Sequence, residues 1–157
     1  MKKIFGGFVS VILLGIYVHL IYVAVNVANC VGAVGCKTYV AAYFNDGMAQ
    51  ALSVIGGLIS ALVIAELALA KPGEAPGARV LDSDASTGAV RTVTVVSVLF
   101  VLVWIGAGLT AFLVGLYHPT ALPVLTTHGQ AWLGLAVSAA YAYFGLSPSA
   151  GRGDSRE

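Results

Sequence analysis

The chain reads as an all-α polytopic membrane protein, a bundle of four transmembrane helices with both termini cytoplasmic, and three observations point there. Of 157 residues, 59% are hydrophobic and 10% charged, where an ordinary soluble domain carries about a quarter charged residues. The charges cluster, leaving residues 4–36, 47–65 and 92–151 without a Lys, Arg, Asp or Glu. The basic residues also fall almost entirely on one side of the spans that these gaps imply. A net charge of +1 and a mean hydropathy of +0.92 leave no footprint for nucleic acid and exclude a mainly disordered chain.

A hydrocarbon core about 30 Å thick takes about 20 helical residues to cross. The first helix is expected at about residues 4–27 and the second at about 47–69. The third gap is too long for one crossing and is interrupted by His118-Pro119 and Leu122-Pro123, since proline removes a backbone donor and clashes with the preceding turn. It divides into helices at about 92–117 and 124–146. The runs are continuously apolar, whereas barrel strands alternate, so helices are chosen over strands. The whole chain, 1–157, then forms one membrane domain, with a linker at 71–91 and a flexible tail at 148–157.

Four crossings place both termini on one side. Lys2, Lys3, Lys71, Arg79, Arg91, Arg152 and Arg156 share that side and Lys37 stands alone on the other, which the positive-inside bias reads as cytoplasmic. The expected location is an integral membrane position, in a bacterial inner (plasma) membrane. Tyr39, Tyr43, Phe44 and Tyr117 fall where an outer aromatic belt would lie. The first apolar run is longer than the core of a cleaved signal, so it reads as an anchor. A lipoprotein-type cleavage before Cys30 is disfavoured by Asn29.

Cys30 and Cys36 are the only cysteines and fall on the outer face, where oxidation is favoured, so a structural disulfide is expected. Their spacing is not that of a redox-active Cys-X-X-Cys pair. On the inner side, residues 71–77 are rich in Pro and Gly and read as a surface linker. Asp82 and Asp84 resemble the start of a calcium loop but lack the downstream bidentate Glu. The Arg152-Gly153-Asp154 tripeptide has no meaning on a cytoplasmic tail.

Polar and small residues within the spans recur at intervals of three and four. The sets are His19, Tyr22, Asn26 and Asn29; Asp46, Gln50, Ser53, Gly57 and Ser60; Trp104, Gly108, Ala111, Gly115 and His118; and Thr127, Gln130, Gly134, Ser138 and Tyr141. Each set defines one stripe, and the economical expectation is that the four stripes face one another. His19, Asn26, Gln50 and Glu66 are the intramembrane polar residues of most interest. Glu66, the single acid within a span, is expected to reach the inner interface or pair with Lys71, Arg91 or Lys3.

His19, His118, His128 and Asp46 all fall in the outward half and include the ligand types of a zinc or copper site. They contain no close pair such as His-X-X-X-His, and a lone histidine bonded to a neighbouring helix is the commoner arrangement. No cofactor is predicted and no catalytic constellation is evident, so an enzyme is disfavoured. The expected function is that of an accessory or assembly subunit of a larger membrane complex, or a self-associating bundle. Its partners would be the lipid bilayer and another membrane protein or further copies of itself, with no nucleic acid. A channel, carrier or pore-forming protein is the alternative, and a protein with an outward-facing metal or small-ligand site the next.

Overall fold

The computed structural model describes residues 2–31, 33, 36–69 and 87–144, which form four α-helices and, among these residues, no strand. They are α1 (Lys2–Cys30), α2 (Asp46–Leu69), α3 (Thr87–Tyr117) and α4 (Pro123–Phe144). The helices coincide with the uncharged gaps. α3 starts at Thr87, so the expected linker loses residues 87–91 to the helix. Residues 70–86 and the tail 148–157 lie outside the described residues. Three stretches are long and apolar enough to cross a membrane: Gly7–Cys30, Asp46–Leu67 and Thr94–Tyr117. α4 has 22 residues and no charge, but Thr126, Thr127, His128 and Gln130 dilute its apolar character.

The boundaries have local causes. Asn45 precedes α2 and its Oδ1 accepts a hydrogen bond from the Met48 amide at 3.0 Å, which satisfies one of the free donors of the first turn. Asp46, in that same turn, favourably faces the positive end of the helix dipole. Pro123 opens α4, where a missing amide proton costs nothing. The turn before it is closed by the Ala121 amide donating to the His118 carbonyl at 3.2 Å. Thr126 Oγ1 reaches back to the Pro119 carbonyl at 3.4 Å.

Around the bundle the order is α1, α3, α4, α2: each helix packs on two neighbours, and the diagonals α1/α4 and α2/α3 barely touch. The tightest seam joins the antiparallel pair α3 and α4. A Cβ at Gly129 would lie 2.6 Å from Phe112 Cα, and one at Gly115 2.9 Å from Thr126 Cα, so the absent side chains let the two backbones approach. A Cβ at Gly108 would collide with the Trp132 indole.

The centre is filled by large side chains. Tyr17, Leu52, Ile59, Val63, Trp104, Leu125 and Trp132 are buried, and the two indole rings meet at a centroid distance of 5.6 Å. Outside, Phe8, Val11, Leu62, Leu99, Leu102, Leu116 and Val137 are exposed. An apolar exterior over an apolar core is the pattern of helices solvated by lipid.

The inward faces differ from the expected stripes on three of the four helices. On α3 the expectation holds, since Trp104, Gly108, Ala111 and Gly115 are all buried, and only His118 is exposed. On α1 the buried set is Leu14, Tyr17, Leu20, Ile21, Val23, Ala24, Val27 and Ala28, while His19, Tyr22 and Asn29 are exposed. On α4 it is Leu125, Gly129, Trp132 and Ala139, and every member of the expected stripe from Thr127 to Tyr141 is exposed. On α2 it is Leu52, Gly56, Ile59, Ser60 and Val63, so only Ser60 of the expected stripe faces inward.

The reason is local. Ser53 donates to the Ala49 carbonyl at 3.1 Å, Thr127 to Pro123 at 3.0 Å and Ser138 to Gly134 at 2.9 Å. A hydroxyl satisfied by its own helix four residues back needs no neighbour.

At the α1–α2 connection Cys30 and Cys36 form a disulfide with Cα atoms 5.5 Å apart. Phe44 turns into the core rather than joining an interfacial belt, Tyr39 is half-buried, and Tyr43 and Tyr117 are exposed. Tyr39 and Tyr43 meet edge to face at 5.5 Å. The Tyr22 phenol beside it holds the Tyr39 hydroxyl above the usual phenol range, and loss of hydration adds to the effect.

Candidate functional site

Among the described residues, polar side chains of different helices hydrogen-bond to one another at two places, both made by aromatic side chains reaching across the bundle. Tyr17 on α1 spans the core to His128 on α4, with its hydroxyl 3.2 Å from Nε2 and the rings tilted at a centroid distance of 5.7 Å. This contact joins the two helices that are otherwise diagonal and nearly out of touch. The imidazole also needs room on α2, and Gly56 supplies it: a Cβ there would strike the His128 ring.

Tyr17 is fully buried and its hydroxyl has no other partner among the described residues. Leaving a phenol proton without an acceptor in an apolar interior is costly, so Tyr17 donates and Nε2 accepts. The imidazole proton then sits on Nδ1. Nδ1 itself has no partner among the described residues and is not sealed from the surface.

The second place pairs Trp104 Nε1 on α3, which donates at 3.1 Å, with Ser60 Oγ on α2. These helices are also diagonal. Ser60 is 2% exposed, and its own proton has no acceptor among the described residues. Trp132 Nε1 is buried without a partner among the described residues. An orphaned donor of this kind costs about 1–3 kcal/mol, which the area buried by a large indole offsets.

Between α2 and α4 these groups border a cavity of about 330 Å³, lined by Ser53, Gly57, Ser60, Thr127, His128 and Trp132 among others. Its rim residues Ser53, Gly57 and Thr127 are exposed, so it opens on the outer face of the bundle. A second, more apolar cavity of about 440 Å³ lies toward the other end, between Leu67, Val101, Trp104, Ala136 and Tyr143.

The proposed metal set does not assemble. His19, His118 and Asp46 are each exposed, and only His128 turns inward. Among the described residues no three His, Cys, Asp or Glu side chains come together. The residues occupy different helix faces and ends, so a shared outward half did not translate into a shared point. Asn26 donates from Nδ2 to the Tyr22 carbonyl of its own helix at 2.7 Å, and Gln50 is exposed. Glu66 is half-buried with no ion pair among the described residues, and the side chains of Lys3, Lys71 and Arg91 fall outside them.

Sequence reasoning missed Tyr17 and gave Trp132 no role. The signal for both was available: a phenol and an indole within a span bring a donor that must be placed, and their size makes them core residues. Comparison with known protein families, curated proteins and solved structures finds no match to this chain.

Proposed function

We propose that the chain crosses the membrane four times, with α4 as the fourth span and both termini cytoplasmic, and that it works by lateral association in the bilayer. It would serve as an accessory or assembly subunit of a larger membrane complex, or as a self-associating bundle. A length of 22 residues gives α4 about 33 Å of helix, enough for the hydrocarbon core. Its close seam with α3, at Gly108 and Gly115 of that helix, supports the same placement. The bias of seven basic residues against Lys37 supports the orientation, and a bacterial plasma membrane fits both.

The observation that carries the functional reading is the outer face of α4. Gln130, Gly134 and Ser138 are exposed in a row, and the Gln130 amide has no partner among the described residues. In hydrocarbon an amide finds a partner on another helix, and Gly and Ser beside it let that helix come close. Purification in mild detergent followed by mass spectrometry and light scattering tests this. Stoichiometric partners or a defined oligomer are expected, weakened by Gln130→Leu. A monodisperse monomer with no companion, unchanged by Gln130→Leu, contradicts it.

The alternative of a channel has less support. Trp104, Tyr17, Leu52 and Ile59 fill the centre of the bundle, so a water path would have to form between copies. Proteoliposomes that retain an entrapped dye argue against that alternative.

A further inference from the structure

The cavity between α2 and α4 combines features that lateral association does not require. Its volume of about 330 Å³ is at the lower end of ordinary small-ligand sites. No charged residue lines it. Two of its side chains present unused hydrogen-bond donors: Nδ1–H of His128, fixed by the Tyr17 bond to Nε2, and the hydroxyl proton of Ser60, whose oxygen is taken by Trp104. Ser60 is almost wholly buried and lines the cavity, so a guest there can serve as its acceptor. Its lining includes two aromatic rings, those of His128 and Trp132.

We propose that this cavity binds a flat, uncharged, lipid-soluble molecule carrying a carbonyl oxygen, of the quinone or aromatic ketone type, which enters from the hydrocarbon between α2 and α4. Each property follows from the lining. Two unused donors favour a hydrogen-bond acceptor in the guest. Lack of charge in the walls, with a mouth on the lipid face, disfavours an ion, which would lose its hydration without a counter-charge. The slot between two helices that approach through Gly56 suits a flat ring, and the His128 and Trp132 rings in its lining offer it aromatic contact. This inference is independent of whether the bundle associates with other helices.

The chain contains two tryptophans; Trp132 lines the cavity and Trp104 packs at a tilt against Trp132, so intrinsic fluorescence reports occupancy. The experiment titrates the full-length protein in dodecylmaltoside with 2-methyl-1,4-naphthoquinone and follows tryptophan quenching. Wild type is expected to quench saturably, with 2-methylnaphthalene, which has the same ring and no carbonyl, failing to compete at tenfold excess.

Gly57 lines the mouth and has nothing within 4 Å of a Cβ position. Gly57→Leu therefore fills the cavity without disturbing the fold, and it should raise the half-saturating concentration at least tenfold. His128→Ala is expected to do the same. Gly106→Leu, equally open but outside the cavity, should leave binding unchanged. Should His128→Ala fail to fold, the comparison of Gly57→Leu with Gly106→Leu decides. Quenching that rises linearly with quinone and is identical in wild type and Gly57→Leu overturns the proposal, as does equal competition by 2-methylnaphthalene.

Discussion

A single methyl group separates tolerated from forbidden positions in this bundle. Gly129 sits with its Cα against the backbone of Phe112, so Gly129→Ala must push α3 and α4 apart. Overpacking of that kind costs about 1–3 kcal/mol. Gly134, five residues on, faces open space, and Gly134→Ala should be neutral or slightly stabilising, because it also restricts the unfolded chain. Thermal unfolding in detergent should therefore show a clear loss of Tm for Gly129→Ala and none for Gly134→Ala; equal behaviour would mean that the seam is not where the structure puts it. Tyr39 offers a second residue-level check. Its phenol is held above the usual range by Tyr22, so the folded state favours the neutral form. The associated stability is fully present below the unfolded phenol value of about 10 and is lost as pH rises through the higher folded value. In an ultraviolet titration Tyr39 should ionise later than a free tyrosine, and Tyr22→Phe should bring it down.

At the scale of helices, the diagonals of the bundle are joined by aromatic hydrogen bonds rather than by backbone proximity. Tyr17→Phe and His128→Ala, taken singly and together, form a cycle whose coupling should be about 0.6 kcal/mol, the usual size for such bonds within a membrane. A coupling of zero would separate Tyr17 from His128. The disulfide acts on the α1–α2 connection, closing a short loop of sequence separation 6. Its removal by Cys30→Ser with Cys36→Ser should cost about 2 kcal/mol, seen as a lowered Tm relative to the oxidised protein. Where the helices lie could be read from the uncharged gaps, because charge is the group a bilayer tolerates least. Which face turns inward could be read only on α3, where Gly108, Ala111 and Gly115 make the close approach possible. On α4 the rule that polar residues face inward failed at Thr127 and Ser138, since their hydroxyls bond to their own helix. For the candidate site, His128 reads in the sequence as a metal-ligand candidate, but its partner Tyr17 lies 111 residues away in sequence. Helical spacing carries no information about contacts between helices at that separation.

For the molecule as a whole, the exposed leucines, valines and phenylalanines on the three apolar spans Gly7–Cys30, Asp46–Leu67 and Thr94–Tyr117 fit lipid as the solvent. Lateral association, the entry of a ligand from hydrocarbon and the oxidised cysteine pair all depend on that arrangement and on its orientation. The direct test places single cysteines at Lys37, Thr120, Arg79 and Ser155 by substitution, with Cys30 and Cys36 replaced by Ser, and exposes intact cells to a membrane-impermeant maleimide. Lys37→Cys and Thr120→Cys should label at once, whereas Arg79→Cys and Ser155→Cys should label only after the cells are permeabilised. Labelling of Ser155→Cys in intact cells would show that α4 does not return the chain to the cytoplasm, and labelling of Arg79→Cys there would invert the orientation altogether.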